Sequence, residues 1–288
     1  MSGEVLLQAT VQGLQMGAIY ALIALSMTLI FSVGGLLNFA HGDFMALAMY
    51  GALALYQSFA LDAYAAAPLL FFGFFLLGFL MFRRLVQPVL AVGVLAGAQL
   101  TLGLVFVQEN FLLMVFGGDY LSVPTVLSNK NLVIPPLTMP WPLLVGSLLA
   151  VVLAAILYVV LMRTDFGRQV RAITQNSDAA ALMGIRIDRI QAIAFGIGIG
   201  LLGLTGAIIV AQFTLTPAMG LDFTLIALIV MVIGGLGSFA GSMIAGAIIG
   251  VSESLGSLLY GGTVGAMIPY AILVLVLLFR PHGLMGEH

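Results

Sequence analysis

The sequence predicts an all-α, polytopic transmembrane helical bundle of about eight to ten helices, including broken or re-entrant segments, and three observations carry that expectation. The chain is 62% hydrophobic and only 7% charged, whereas soluble domains keep about a quarter of their residues charged. Its apolar residues fall into runs near the roughly 20 residues that a hydrocarbon span needs. Its basic residues are sorted: Arg163, Arg168, Arg171, Arg186 and Arg189 share one stretch between two such runs, and loops kept on the cytoplasmic side collect Lys and Arg. One transmembrane domain over 1–288, with one sizeable cytoplasmic loop over 163–189, accounts for the whole chain.

The apolar segments run at about Val5–Phe31, Phe44–Phe59, Pro68–Phe82, Val89–Val107, Trp141–Met162, Ile190–Ala211, Phe223–Ile233, Met243–Leu259 and Ala266–Phe279. The first is expected to stay in the mature chain, because Met1 to Glu4 lacks a basic region and the run that follows is too long for a signal peptide. With the Arg-rich loop inside, Arg83, Arg84 and Arg280 also fall inside and only Lys130 falls outside. Nine crossings with an outside N-terminus satisfy that charge pattern. Two segments are short and interrupted by glycine, so a half-crossing would change the parity. The stretch from Gly117 to Pro140 holds Asp119, Lys130 and four prolines, which predicts an ordered but irregular external surface. Gly196 with Gly200, Gly203 with Gly206, and Gly246 with Gly250 have the spacing of close helix packing, which marks the sixth and eighth segments as buried in the bundle.

One repeat stands out: Val33-Gly34-Gly35-Leu36-Leu37-Asn38-Phe39-Ala40 returns as Ile233-Gly234-Gly235-Leu236-Gly237-Ser238-Phe239-Ala240. Paired glycines in apolar stretches favour broken helices, and matched interruptions in two halves of a membrane chain point to a transport pathway; the alternative is two ordinary glycine turns that look alike by chance. Asn38, His41 and Asp43 follow the first pair and must face a cavity, a partner or an interface rather than acyl chains. They read both as lining of a polar route and as a short cytoplasmic turn, with Asp43 capping a helix that begins at Phe44. Glu253, mid-segment with no neighbouring base, is either a buried hydrogen-bonded acid, the favoured reading, or a residue beside an aqueous vestibule. Glu109 and Asn110 read as interface residues closing the fourth segment, and Asp222 as a helix start.

Enzymatic readings find no support. There is no cysteine, which excludes disulfides and thiolate chemistry. His41, His282 and His288 have no metal-site spacing, and no serine sits in a nucleophile elbow. The only lysine is Lys130, so no phosphate-cradling Walker sequence exists and any ATPase that drives this protein is another chain.

The Arg-rich loop contains an amphipathic patch (Val170, Ile173, Ala179 to Met183), a helix breaker at Gly184 and a fresh start at Ile185. A short helix there is expected to present Ala180, Leu182 and Met183 to a partner's groove, rimmed by Arg168, Arg171 and Arg186. The alternative is a positive-inside anchor lying on anionic lipid. A plain anchor has no use for the string from Asn176 to Ile185, which favours docking.

NFAHGDF at Asn38–Phe44, NSDAAALMGI at Asn176–Ile185 running into DRIQAIAFGIGIGLLGLTGAI, GGLGSFAGSMIAGAIIG at Gly234–Gly250 and RPHGLMG at Arg280–Gly286 resemble the LivH-type subunit of branched-chain amino acid ABC transporter permeases. The likeness runs in order over nearly the whole chain. It implies a multi-pass permease of the bacterial inner membrane, not an enzyme, forming a translocation pathway for branched-chain or other hydrophobic amino acids. Permeases for urea or short-chain amides look similar and give the alternative substrate class. An ion-gradient-driven secondary transporter is the competing mechanism, with Glu253 and Asp43 its only raw material. The implied partners are a homologous LivM-type permease forming a heterodimer, two cytoplasmic ATP-binding subunits, a periplasmic substrate-binding protein and membrane lipid, with no nucleic acid. ATP and Mg belong to the ATPase subunits, and this chain is expected to hold no cofactor or metal. Pathway residues are then expected at Gly34, Gly35, Asn38, His41, Asp43, Gly234, Gly235 and Ser238. By similarity, Asn176, Asp178, Ala181, Met183, Gly184, Ile185 and Arg186 form the element that couples to the ATPase.

Overall fold

A computed structural model describes residues 3–128 and 130–286; Met1, Ser2 and His288, which entered the sequence reading, lie outside them. The helices are α1 (Gly3–Gly34), α2 (His41–Phe59), α3 (Ala63–Met81), α4 (Gln87–Leu90), α5 (Val94–Phe116), α6 (Trp141–Arg163), α7 (Asp165–Gln175), α8 (Ser177–Leu182), α9 (Ile187–Ile209), α10 (Gly220–Gly234), α11 (Phe239–Tyr260) and α12 (Gly262–Phe279). A π-helical turn (Phe82–Val86) joins α3 to α4, and a 3-10 turn (Pro217–Met219) leads into α10. Eight stretches are long and apolar enough to cross a membrane: those containing α1, α3, α5, α6, α9, α10, α11 and α12. The all-α bundle is therefore as expected, with one addition. The external stretch is more regular than its prolines predicted, because Asn131–Ile134 (β1) pairs antiparallel with Leu137–Pro140 (β2).

Hydrogen bonds tie the helix ends to two opposite faces. Gln8 accepts from the backbone N–H of Thr138 at 2.9 Å and Asp62 accepts from Val126 N–H at 2.8 Å, so the start of α1 and the α2–α3 corner share the face of the hairpin. At the other end of α1, Thr174 of α7 donates to the Ser32 carbonyl at 2.9 Å, which defines the arginine-bearing, inner face.

α1 lies at the centre against α6, α9, α10 and α11. Small residues let these backbones close up, which is how helices associate where lipid supplies no hydrophobic drive between them. A Cβ on Gly17 would lie 2.6 Å from the Gly246 carbonyl, and one on Gly203 would lie 2.7 Å from the Leu70 carbonyl. α9 is buried nearly all round, as the glycine spacing predicted, whereas α11 is buried along one face only. The fourth segment is displaced from its predicted bounds. Gly93, with φ +155°, breaks the chain after α4, so α5 starts at Val94 and continues past Glu109 and Asn110 to Phe116 instead of closing at them.

α2 is not among those eight stretches, and it does not start at the inner face. Gly35 stops α1 with φ +61°, residues 35–40 are not helical, and His41 Nε2 then lies 3.1 Å from the carbonyl of Ile23. Ile23 is eleven residues before Gly34, about 16 Å back along the helix axis. The chain has re-entered the bundle to roughly mid-depth before α2 begins. α10 also starts at depth, because Gly220 abuts Asp43. Leu121 and Leu215 exchange backbone hydrogen bonds of 3.2 and 2.8 Å, joining the segment before α10 to the external loop.

Candidate translocation junction and coupling elbow

The starts of α2 and α10 meet in the interior, and the first-break residues converge there. Asn38, His41 and Asp43 are 0%, 0% and 3% exposed, so they are enclosed by protein and not lipid-facing. Their surroundings are hydroxyls and backbone. His41 Nε2 is 2.8 Å from Ser26 Oγ. The Asn38 side-chain oxygen accepts from Ala40 N–H at 3.2 Å, a local turn, while its backbone carbonyl accepts from His41 N–H at 3.2 Å. Gly42 N–H donates to Thr224 Oγ1 of α10 at 2.8 Å, and Phe39 N–H donates to Thr101 Oγ1 of α5 at 3.2 Å.

Two sequence-level assignments change here. The helix begins at His41 and not at Phe44, with Ala40 in the capping position and no side-chain cap. Asp43 thus lies inside the first turn, where a carboxylate complements the helix dipole, and Thr224 from another helix supplies the acceptor that a local cap would have given. Asn38 Nδ2, His41 Nδ1 and Asp43 Oδ2 are buried and make no hydrogen bond, as are Tyr50 OH on α2 and the Gln108 amide on α5. A buried polar atom without a partner costs about 1–3 kcal/mol. Three such atoms, those of Asn38, His41 and Asp43, fall within six residues at the start of α2, which marks a place built for something other than stability.

The second break lies elsewhere. Gly235 has φ +106° and Gly237 φ +86°, but α11 resumes at once, because Ser238 accepts from Gly241 N–H at 3.1 Å as its N-cap. Gly234 ends α10 against Gly241 and Ser242. Ser242 Oγ lies 3.0 Å from Thr28 Oγ1, tying this break to α1. The repeat shares a glycine stop with positive φ and diverges after it. Asn38, His41 and Asp43 form one cluster; Gly234, Gly235 and Ser238 form another toward the inner face.

The Arg-rich loop folds into two short helices. Thr164 caps α7 by accepting from Gly167 N–H at 3.2 Å, and Val170 and Ile173 are buried beneath it. Asn176 caps α8 by accepting from Ala179 N–H at 2.9 Å. Gly184, with φ +84°, ends α8 in a Schellman motif: Gly184 N–H donates to the Ala181 carbonyl at 2.9 Å and Ile185 N–H to the Ala180 carbonyl at 3.1 Å. The predicted breaker is confirmed, but the presented face is narrower than expected. Ala180 is 4% exposed and faces inward, whereas Leu182 and Met183 are 89% and 84% exposed at the tip. Asp178, Ala181 and Arg186 are exposed around them and Ile185 is half-buried. Arg168 is paired with Asp165 and stays largely exposed, and Arg171 donates to the Leu161 carbonyl. An open groove of about 810 Å³ beside the tip is lined by Phe79, Arg83, Ile185, Arg186 and Arg189 among others.

The two regions are joined by contacts that sequence reasoning missed. Thr174 of α7 donates to the Ser32 carbonyl at 2.9 Å, and Gln191 of α9 donates to the Val33 carbonyl at 2.9 Å. The last carbonyls of α1, which have no intrahelical partner, are thus held by the loop and its following helix. Ser26, Thr28, Thr101, Thr224 and Ser242 were also missed. A lone hydroxyl in an apolar run often satisfies its own helix, and nothing local says that it also reaches another.

A family model described as branched-chain amino acid transport system, permease component, matches residues 9–277. The high-affinity branched-chain amino acid transport system permease protein BraD of Pseudomonas aeruginosa is 27% identical, over 98% of this chain and 96% of its own length. The corresponding LivH protein of Salmonella typhimurium is 28% identical over the same shares. A ribose import permease of Bacillus subtilis is 30% identical over 49% of this chain and 39% of its own. No solved structure matches the chain.

Proposed function

The chain belongs to the branched-chain amino acid transport permease family, the membrane component of ABC importers, and from that premise we propose how it works. It is a transport subunit that works with ATPase and binding-protein partners. We infer that it carries branched-chain amino acids across a bacterial inner membrane, pairs with a LivM-type permease, and is driven by two cytoplasmic ATPases that hold the ATP and Mg.

One observation carries the coupling reading: Thr174 of the α7–α8 elbow, and Gln191 of the helix that follows it, are hydrogen-bonded to the last turn of α1, where the re-entrant break begins. The exposed Leu182–Met183 tip fits a groove in an ATPase. When the ATPases close, the tip travels with them, Ser32 and Val33 follow, and the return segment 35–40 shifts against Thr101 and Thr224. Repacking of a broken helix is an established form of alternating access. Asn38, His41 and Asp43, whose unpaired polar atoms face this segment, would then meet the zwitterionic end of the substrate or gate the route.

The test is ATP-driven leucine uptake by the reconstituted complex. Met183→Asp and Gly184→Pro are expected to uncouple hydrolysis from uptake while the membrane bundle still assembles; substrate-stimulated hydrolysis and uptake at wild-type levels in both would refute the docking. Asp43→Ala is expected to impair uptake without preventing assembly, and normal uptake would leave Asp43 a helix-dipole residue only.

A further inference from the structure

A polar pocket lies outside the junction, between the outer halves of α1 and α11, and encloses about 560 Å³, within the roughly 300–1,000 Å³ range of small-molecule sites. Gln12, Tyr20, Glu253, Ser254 and Ser257 converge on it, and Gln8 stands at its outer end. Glu253 is half-buried and lines the pocket together with Tyr20. It sits seven residues before the outer end of α11, about 10 Å back along the helix axis, within a span where a carboxylate without a counter-charge is expensive. No basic residue lines the pocket: among the described residues the arginines cluster at the inner face, and Lys130 leads into the external hairpin. Beside the polar groups, Met16 and Leu258 give the pocket an apolar wall.

We propose that this pocket, with Glu253 as its anchor, binds the primary ammonium group of an amphiphilic ligand. An ammonium brings three N–H donors and the missing positive charge, Ser254, Ser257 and Gln12 offer further acceptors, and the ligand's apolar body meets Met16 and Leu258. Two sources share that chemistry. One is a free amino acid entering from the outer face, in which case the site rests on the permease reading and gives the substrate its first station. The other is the headgroup of phosphatidylethanolamine from the outer leaflet.

The chain has no cysteine, so Leu258→Cys, with Gln12→Cys as a second reporter, places a single thiol of this subunit in the pocket. Labelling by a small maleimide is measured on the full chain with its co-purifying subunits, in phosphatidylcholine nanodiscs. Protection by leucine, and not by 4-methylpentanoate, which lacks the amine, supports the amino acid source; labelling should slow about tenfold at ten times the half-protecting concentration. Protection only when phosphatidylethanolamine replaces phosphatidylcholine supports the lipid source. In either case Glu253→Gln should remove the protection and Glu253→Asp retain part of it. If neither ligand protects either reporter, or protection survives Glu253→Gln, the carboxyl is only a neighbour of Tyr20 in the wall and the proposal is overturned. Labelling needs no turnover, so the two readings fail separately: uptake without protection removes the pocket and keeps the permease, while protection without uptake does the reverse.

Discussion

At Gly35 the chain leaves α1 and travels six residues back into the bundle before a helix resumes, whereas at Gly235 it leaves α10 and resumes within four. Both stops use a glycine with positive φ, so the difference lies in what supplies the next helix with its first acceptors. Ser238 caps α11 with its own side chain. α2 has no such residue at Ala40 and borrows Thr224 from α10. At the carbonyl ends both breaks are held by distant segments, so the contrast is confined to the N-cap of the helix that follows. Thr174 and Gln191 hold the end of α1, while the C-terminal tail holds α10, with Leu284 N–H donating to Ile233 O at 2.8 Å and Met285 N–H to Gly234 O at 3.1 Å. A break capped locally is a fixed turn. A break capped by other elements is a joint, because moving those elements changes its energy.

That contrast can be broken most sharply at Gly42. A Cβ there would collide with the Gly220 carbonyl and lie 2.5 Å from Thr224 N and 2.9 Å from Phe223 Cβ. Overpacking against backbone should cost Gly42→Ala about 3 kcal/mol, the upper end of its usual range, and the thermal midpoint of the detergent-purified protein should fall accordingly. Gly237→Ala at the other break meets nothing closer than Ser32 Oγ at 3.6 Å and should cost only the left-handed backbone strain of about 1 kcal/mol. Equal losses would mean that the first junction is not tightly closed.

The next largest effect is expected at the borrowed cap. Thr224→Val keeps the shape but leaves Gly42 N–H buried and unpaired, for about 2 kcal/mol, and Thr224→Ser should recover most of it. Because this cap comes from another helix, the valine variant should also lower uptake more than it lowers stability, which a transport assay normalised to folded protein would show. Ser238→Ala, the local counterpart, should cost about 1 kcal/mol and leave uptake per folded molecule unchanged; a loss of uptake there would make both breaks joints. Smallest of all, deleting residues 281–288 removes two donors from the end of α10. It should cost roughly 1 kcal/mol or less, read as a modest drop in midpoint.

Much of the bundle was legible because hydrocarbon imposes length and apolarity on every span, and because arginines mark one face. The elbow was legible for a local reason: Asn176 caps, Gly184 terminates, and both act within four residues of themselves. Legibility failed at α2. Its start was read three residues late, since the sequence around Asp43 offers a plausible cap and the real acceptor, Thr224, is 182 positions away from Gly42. It failed also at Ala180, where an amphipathic pattern over six residues cannot say which alanine turns inward.

That this is a membrane bundle, which way its charges point, where its glycine stops fall and which loop stands apart can all be read from the residues, because each follows from solvent transfer or from backbone sterics within a few positions. Packing alone decided that one stop re-enters the bundle while its twin turns toward the inner face, that His41, Phe39 and Gly42 meet Ser26, Thr101 and Thr224, and that Thr174 of α7 and Gln191 of α9 hold the end of α1. Those outcomes depend on which distant hydroxyl or carbonyl satisfies a buried backbone group, and in a medium without water that choice is made by packing.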